Sequence, residues 1–278
     1  MKRVPDTKGG DSTGPAAVGG RVEPVAGRLR RLYGEVDWRQ ARGVLHVAAI
    51  EAASGRVLIP GPAAPASAID RFILGLARAR STAIVTTGAI LRSEPDLRHD
   101  FGATPAEDQA LREWRQSELE LREEPRLIVL SASGEFPLDH PAIVAATAGT
   151  ILTTEAGARR LPRRVARLEV SVGPADEAPI AGAIGVARAG ASGDCTVAIE
   201  AGPHATAPLY ATPADDRRAS RQERCDELLL SRFEGSVDPR ALGPAFFDDA
   251  TIDRVLASRV ASIRIEDESG SWRFERYR

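Results

Sequence analysis

The sequence predicts an α/β fold: a mostly parallel central sheet with helices on both faces and an antiparallel C-terminal hairpin. Three observations carry this expectation. Short apolar, β-branched runs alternate with segments of helical periodicity, and strands separated by helices need crossovers that make neighbouring strands parallel. Several of the runs stop at small, hydroxyl or acidic residues, as buried strands do at the carboxyl edge of an open sheet. Near the end, Ile263-Arg264-Ile265 and Trp272-Arg273-Phe274 alternate apolar and polar residues across Ser269-Gly270. That is the pattern of an antiparallel hairpin at a sheet edge.

The elements follow in order. Residues 1–22 are rich in Gly, Pro, Asp and Ser and bury too little apolar surface to offset their ordering entropy, so a flexible tail is expected. Residues 23–278 are expected to form a single domain. A short amphipathic helix over 23–42 places Val25, Leu29, Leu32 and Tyr33 on one side. Residues 44–50 read as the first strand. Ser67 is the expected N-cap of a helix carrying Ile69, Phe72, Ile73 and Leu76 on one face, with Asp70 as its capping partner. Residues 83–86 form a strand. Thr104-Pro105-Ala106-Glu107 opens a charged surface helix to about residue 121. Strands at 126–130, 150–153 and 168–172 follow, with a short helix or turn at 143–145. Val197–Glu200 is a strand, His204–Tyr210 starts a helix, and 227–231 is a strand. Residues 211–224 read as a solvated loop, and no internal repeat is visible.

Composition narrows the function classes. The chain has 278 residues, 43% hydrophobic and 27% charged, with a net charge of -2. That balance favours neither nucleic acid nor an anionic membrane as partner. No apolar run reaches the ~18 residues of a membrane span, and no apolar segment follows the N-terminal Lys2, Arg3 and Lys8, so a cytoplasmic protein is expected. Cys195 and Cys225 form neither a CxxC nor a zinc spacing, and His46, His99, His140 and His204 show no metal-ligand spacing, so no metal is expected.

The dinucleotide fingerprint, the P-loop and the GxSxG elbow are all absent. What remains is a recurrence of strand ends. Val197-Ala198-Ile199 stops at Glu200-Ala201-Gly202-Pro203, an acid followed by a turn whose backbone permits close approach of a ligand. Thr86-Thr87-Gly88-Ala89 follows a strand directly, and small residues there expose N–H groups that suit phosphate oxygens. Arg92, four residues past Gly88, is a candidate phosphate partner. Ser131 and Ser133, and Thr153 and Thr154, end two further strands. Each has a bland alternative: a plain turn, a surface arginine, a solvated carboxylate, simple β-propensity. If the four strands are parallel neighbours, their ends line one groove suited to a nucleotide-type ligand.

These residues resemble the bacterial bifunctional deaminase-reductase C-terminal domain family, the riboflavin-pathway pyrimidine reductase group with a dihydrofolate-reductase-like fold. The resemblance rests on Phe72–Ala79, Ala83–Leu97, Pro125–Ser131, Ile151–Thr154, Glu200–Pro203 and Cys225–Leu230, in matching order over roughly residues 43–277. It implies a reductase that moves a hydride from NADPH to a small heterocyclic or carbonyl substrate. It further implies that Thr86, Thr87, Gly88 and Ala89, with Arg92, Ser131, Thr153 and Glu200-Ala201-Gly202-Pro203, line the cofactor groove.

The sequence departs from the family at three places. A Ser-Leu-Asp-Gly pattern after the first strand reads Ala52-Ala53-Ser54-Gly55, so the acid is gone. Gly-Ala-Gly-Thr reads Thr87-Gly88-Ala89-Ile90, and Glu-Gly-Gly-Pro reads Glu200-Ala201-Gly202-Pro203. The zinc signature of the deaminase half is absent from the sequence. These departures keep open a second class, a non-catalytic relative that binds a nucleotide or a protein partner. Catalytic residues are not legible, and the terminal hairpin, as a free edge, suggests a homodimer.

Overall fold

The computed structural model describes residues 23–40, 42–173, 179–191, 195–211 and 224–278. The tail expected over residues 1–22, and all but the ends of the loop expected at 211–224, lie outside these. The chain runs α1 (Val25–Tyr33), β1 (Gly43–Glu51), β2 (Arg56–Leu58), α2 (Ala68–Arg80), β3 (Ala83–Thr87), α3 (Gly88–Ser93) and α4 (Pro105–Glu118). It continues through β4 (Arg126–Leu130), α5 (Pro141–Ala145), β5 (Gly149–Thr153), α6 (Glu155–Ala158), β6 (Arg164–Val165), β7 (Leu168–Val172) and α7 (Pro179–Ala189). The last third holds β8 (Thr196–Ile199), α8 (Pro203–Thr206), β9 (Glu227–Phe233), β10 (Leu242–Ala245), α9 (Asp249–Val255), β11 (Arg259–Asp267) and β12 (Gly270–Tyr277). No helix among the described residues is long and apolar enough to cross a membrane.

The central sheet runs β11-β12-β9-β1-β8-β3-β4-β5-β7-β6. From β9 to β7 every neighbouring pair is parallel. The expected C-terminal hairpin pairs antiparallel, Ile263 opposite Phe274 and Ile265 opposite Trp272, and β12 adds antiparallel to β9. The carboxyl ends of β8, β3, β4 and β5 therefore stand side by side. Register fixes this: Val85 pairs with both Ile199 and Ile128, and Leu130 with Leu152.

Strand alternation sends side chains to two layers. Val44, Val85, Ile128, Val197 and Leu228 face α7, α8 and α9, where Ile180, Ile184 and Ile252 cover them. Leu45 and Leu229 face α1, α2 and α4 and meet Leu29, Phe72, Leu76 and Trp114. Leu127, Val129 and Ile151 pack under α3 and α5 against Leu91 and Ile143. Burying a side chain such as Phe72 or Leu76 contributes about 1.5–3 kcal/mol.

The local signals act as their chemistry dictates. Val25, Leu29, Leu32 and Tyr33 are the buried face of α1. The Ser67 hydroxyl accepts from the N–H groups of Ile69 and Asp70, and Thr104 accepts from Glu107. Asp70 does not close the expected capping box; its side chain lines a cavity instead. The charged helix ends at Glu118 rather than 121, because Glu120 takes a left-handed φ of 58°. The strand before the Glu200 turn ends at Ile199. The helix expected from His204 is one turn, Pro203–Thr206, which tightens into a 3-10 turn to Tyr210.

Candidate functional site

Two cavities open along the shared carboxyl edge. The first, about 480 Å³, lies over the ends of β3, β4, β5 and β7 and the start of α7. Its floor is apolar, with Leu130, Leu152 and Ile180, and its rim carries Thr87, Ser131, Thr153 and Thr154. The second, about 340 Å³, lies over β1, β8 and the loop after α3. Gly202 and Pro203 line the second, and His204 and Ala205 line the first. The two cavities thus meet at the turn that follows β8.

The rim hydroxyls divide by task. Thr153 Oγ1 donates to the Ser131 carbonyl at 2.5 Å, and Thr154 Oγ1 donates to the Ala132 carbonyl at 2.7 Å. Both therefore tie the ends of β4 and β5 together. The Thr87 hydroxyl accepts from the Ile90 N–H at 3.2 Å and caps α3. Ser131 Oγ forms no hydrogen bond to another described residue, and it faces the cavity beside Gly88.

The segment expected as a loop after β3 is instead the start of α3. Gly88 is a glycine for packing: a Cβ there would come within 2.8 Å of Ser131 Oγ and 3.2 Å of the Phe136 ring. Ala89 is exposed on the outside of the turn. The Thr86 side chain is fully buried in the sheet and lines neither cavity. Arg92 is exposed, lines neither cavity, and donates to the Glu135 carbonyl at 2.5 Å.

Glu200 is neither a solvated strand end nor an open acceptor. Its two oxygens take Nε and Nη2 of Arg78, each at 2.7 Å. Arg78 also donates through Nη1 to the carbonyls of Arg98 and Asp100, at 3.0 and 2.9 Å. Burial pushes the Glu200 carboxyl up, but the attraction and hydrogen bonds of Arg78 outweigh it and hold it below the usual carboxylate range. This pair, 122 residues apart in sequence, fixes the β8 turn and the loop after α3 to α2. Sequence reasoning missed Arg78; no local pattern marks such a partner.

Gly202 is different from Gly88. It has a φ of -70°, a value any residue adopts, and a Cβ there would meet nothing within 4 Å. The surrounding protein leaves the space above it open, at the junction of the two cavities.

Two of the histidines, His46 and His140, are structural. His46 is fully buried, with Nδ1 2.8 Å from the Tyr210 hydroxyl and Nε2 3.3 Å from the Ala201 carbonyl. One neutral tautomer satisfies both: Nε2–H donates to Ala201, and Tyr210 donates to Nδ1. Burial lowers its pKa to about 4. His140 caps α5 and sits 2.9 Å from the Glu94 carbonyl. Among the described residues no group of His, Cys, Asp and Glu is placed to hold a metal ion. At the site of the missing acid, the Ser54 hydroxyl donates to the Glu51 carboxylate.

Comparison with known proteins bears on the fold. No protein-family model and no curated protein sequence matches the chain. Solved structures do. A pyrimidine reductase-like protein of Corynebacterium diphtheriae superposes with a TM-score of 0.61 at 19% identity, covering 90% of this chain and 98% of that one. RibD of Acinetobacter baumannii superposes with a TM-score of 0.50 at 14% identity, covering 86% of this chain and 58% of that one. The fold is therefore that of the pyrimidine reductase-like proteins.

Proposed function

We propose that this chain is a reductase that transfers a hydride from NADPH to a small heterocyclic or carbonyl substrate. The supporting observation is the meeting of two cavities at the Gly202–Ala205 turn, over four adjacent parallel strand ends. Two adjoining chambers would let a cofactor in one reach a substrate in the other at reacting distance.

The residues fit a dinucleotide in the first cavity. Leu130, Leu152 and Ile180 offer apolar surface to ring faces, and the Ser131 hydroxyl is an available donor. The open space over Gly202 admits a polar chain that a side chain would block. The bound dinucleotide supplies the hydride. The protein's own part is to orient it, to keep water from the apolar floor, and to hold the β8 turn rigid through Arg78 and Glu200.

Titration with NADPH, followed through the emission of Trp38, Trp114 and Trp272, tests this reading. Saturable binding is the expected result, and no binding at millimolar cofactor contradicts it. A second reading, a relative that binds a nucleotide without turnover, is favoured by the tight packing of Gly88 against Ser131 and Phe136. Tight NADPH binding with no NADPH oxidation across a panel of carbonyl and imine substrates would single it out.

A further inference from the structure

The charge balance of the second cavity bears on what enters it. Its walls are largely apolar, with Ala48, Val57, Leu58, Leu74, Leu97 and Phe246. Four of its lining residues are charged: Asp70, Arg78, Glu94 and Glu200. Arg78 is the only cation among them, and it is spent. Its Nε and Nη2 hold Glu200, and its Nη1 holds two backbone carbonyls. Glu200 is neutralised by the same pairing.

Asp70 and Glu94 remain. Neither lies within ion-pair distance of a cation among the described residues. Burial raises the Asp70 carboxyl, opposed by the neighbouring Ser231 hydroxyl and by Arg71, while Asp267 adds to the rise. Burial also raises Glu94, and the nearby Glu200 adds to it while Arg78 opposes. Unpaired carboxyls in an apolar chamber are costly unless something binds them. The pair gives the chamber a negative field, concentrated by its low-dielectric walls.

From this cavity we infer that it selects an unphosphorylated substrate whose ring carries N–H donors or a positive charge, read by Asp70 and Glu94. A phosphate ester brings roughly -1.5 to -2 charges into a chamber whose single arginine is already occupied. A planar cation or N–H-rich ring instead makes charge-assisted hydrogen bonds to the two carboxylates. Calling the occupant a substrate rests on the reductase reading; the charge argument stands on the cavity alone.

The test uses two ring probes of similar size, benzamidine as cation and phenyl phosphate as anion, titrated calorimetrically into the full chain without cofactor. Benzamidine is expected to bind saturably and phenyl phosphate not to bind at the same concentrations. Asp70→Asn and Glu94→Gln each keep shape, remove charge and should weaken benzamidine about 10-fold. A measurement on the unaltered protein guards against misfolded variants: benzamidine affinity should fall as the pH is lowered and the two carboxyls take up protons. The inference is overturned if phenyl phosphate binds as tightly as benzamidine or if benzamidine does not bind. It is also overturned if affinity ignores pH and both substitutions. Loss of NADPH binding with benzamidine binding intact would sink the reductase reading alone. NADPH binding with phenyl phosphate preferred would sink this inference alone.

Discussion

Arg78 and Glu200 join through two parallel 2.7 Å hydrogen bonds, with side chains only 6% and 9% exposed. One sits near the end of α2, the other just past β8 at the edge where the two cavities meet. The pair ties the turn after β8 to α2, and its energetics are testable. Arg78→Leu leaves the Glu200 carboxylate buried without a counter-charge and should cost about 3–5 kcal/mol. Removing both charges in Arg78→Leu/Glu200→Leu should recover much of that loss. Urea denaturation of the three variants checks this; a double variant less stable than Arg78→Leu would contradict it.

Acid should act on the fold through buried histidines first. His46 and His99 have pKa values lowered from 6.5 to about 4, chiefly because burial penalises the charged ring. The unfolded chain then binds protons in a range where the native one does not. Stability is thus complete above about 6.5 and falls as pH drops toward 4, by up to about 1.4 kcal/mol per pH unit for each histidine. His46→Gln should remove one proton's share of that slope. A flat urea midpoint over this range would count against the buried neutral assignment.

A second acid limb belongs to Glu227. Burial pushes its carboxyl up, but Arg80 and Arg276 overcome this and bring it from 4.5 down to about 2. A depressed carboxyl stabilises the fold above its unfolded value and loses that contribution as pH falls through the folded one. Glu227→Gln should therefore be destabilising at neutral pH and lose sensitivity between about pH 4.5 and pH 2. Thermal midpoints measured across that window decide it.

The two glycines of the edge should respond in opposite ways. Gly88→Ala places a Cβ within 3.0 Å of the Ser131 Cβ and should cost about 1–3 kcal/mol by overpacking. Gly202→Val meets open space at an ordinary φ and should leave stability nearly unchanged. Its effect should appear as weaker NADPH binding, by about 10-fold or more. Unchanged affinity in a folded Gly202→Val protein would move the cofactor site elsewhere.

Ser131→Ala removes a cavity-facing hydroxyl that holds no other described residue. Stability should change by less than about 0.5 kcal/mol, while NADPH affinity drops several-fold. Thr153→Ala is the contrast, because that hydroxyl ties β5 to the Ser131 carbonyl; its loss should cost about 1 kcal/mol of stability.

What the sequence showed, and what it hid, divides along contact range. The strands at 44–50, 83–86 and 126–130, the Ser67 and Thr104 caps and the terminal hairpin are written in local pattern, and each is found. The side-by-side arrangement of the Thr87, Ser131, Thr153 and Glu200 strand ends follows from parallel pairing and is likewise found. Hidden were features set by distant partners. Thr87 looked like the start of a loop because a hydroxyl before a glycine serves a turn or a helix cap equally well. Thr86 faces inward because β3 is covered on both sides. Glu200 meets an arginine 122 residues away, and Asp70 turns from its own helix start to a cavity.

The most direct measurement is a crystal of this chain soaked with NADPH. Density is predicted along the edge from Thr87 past Ser131 and Thr153, reaching the open space over Gly202. Cofactor bound elsewhere on the surface, or an edge left empty at saturating NADPH, would contradict the account.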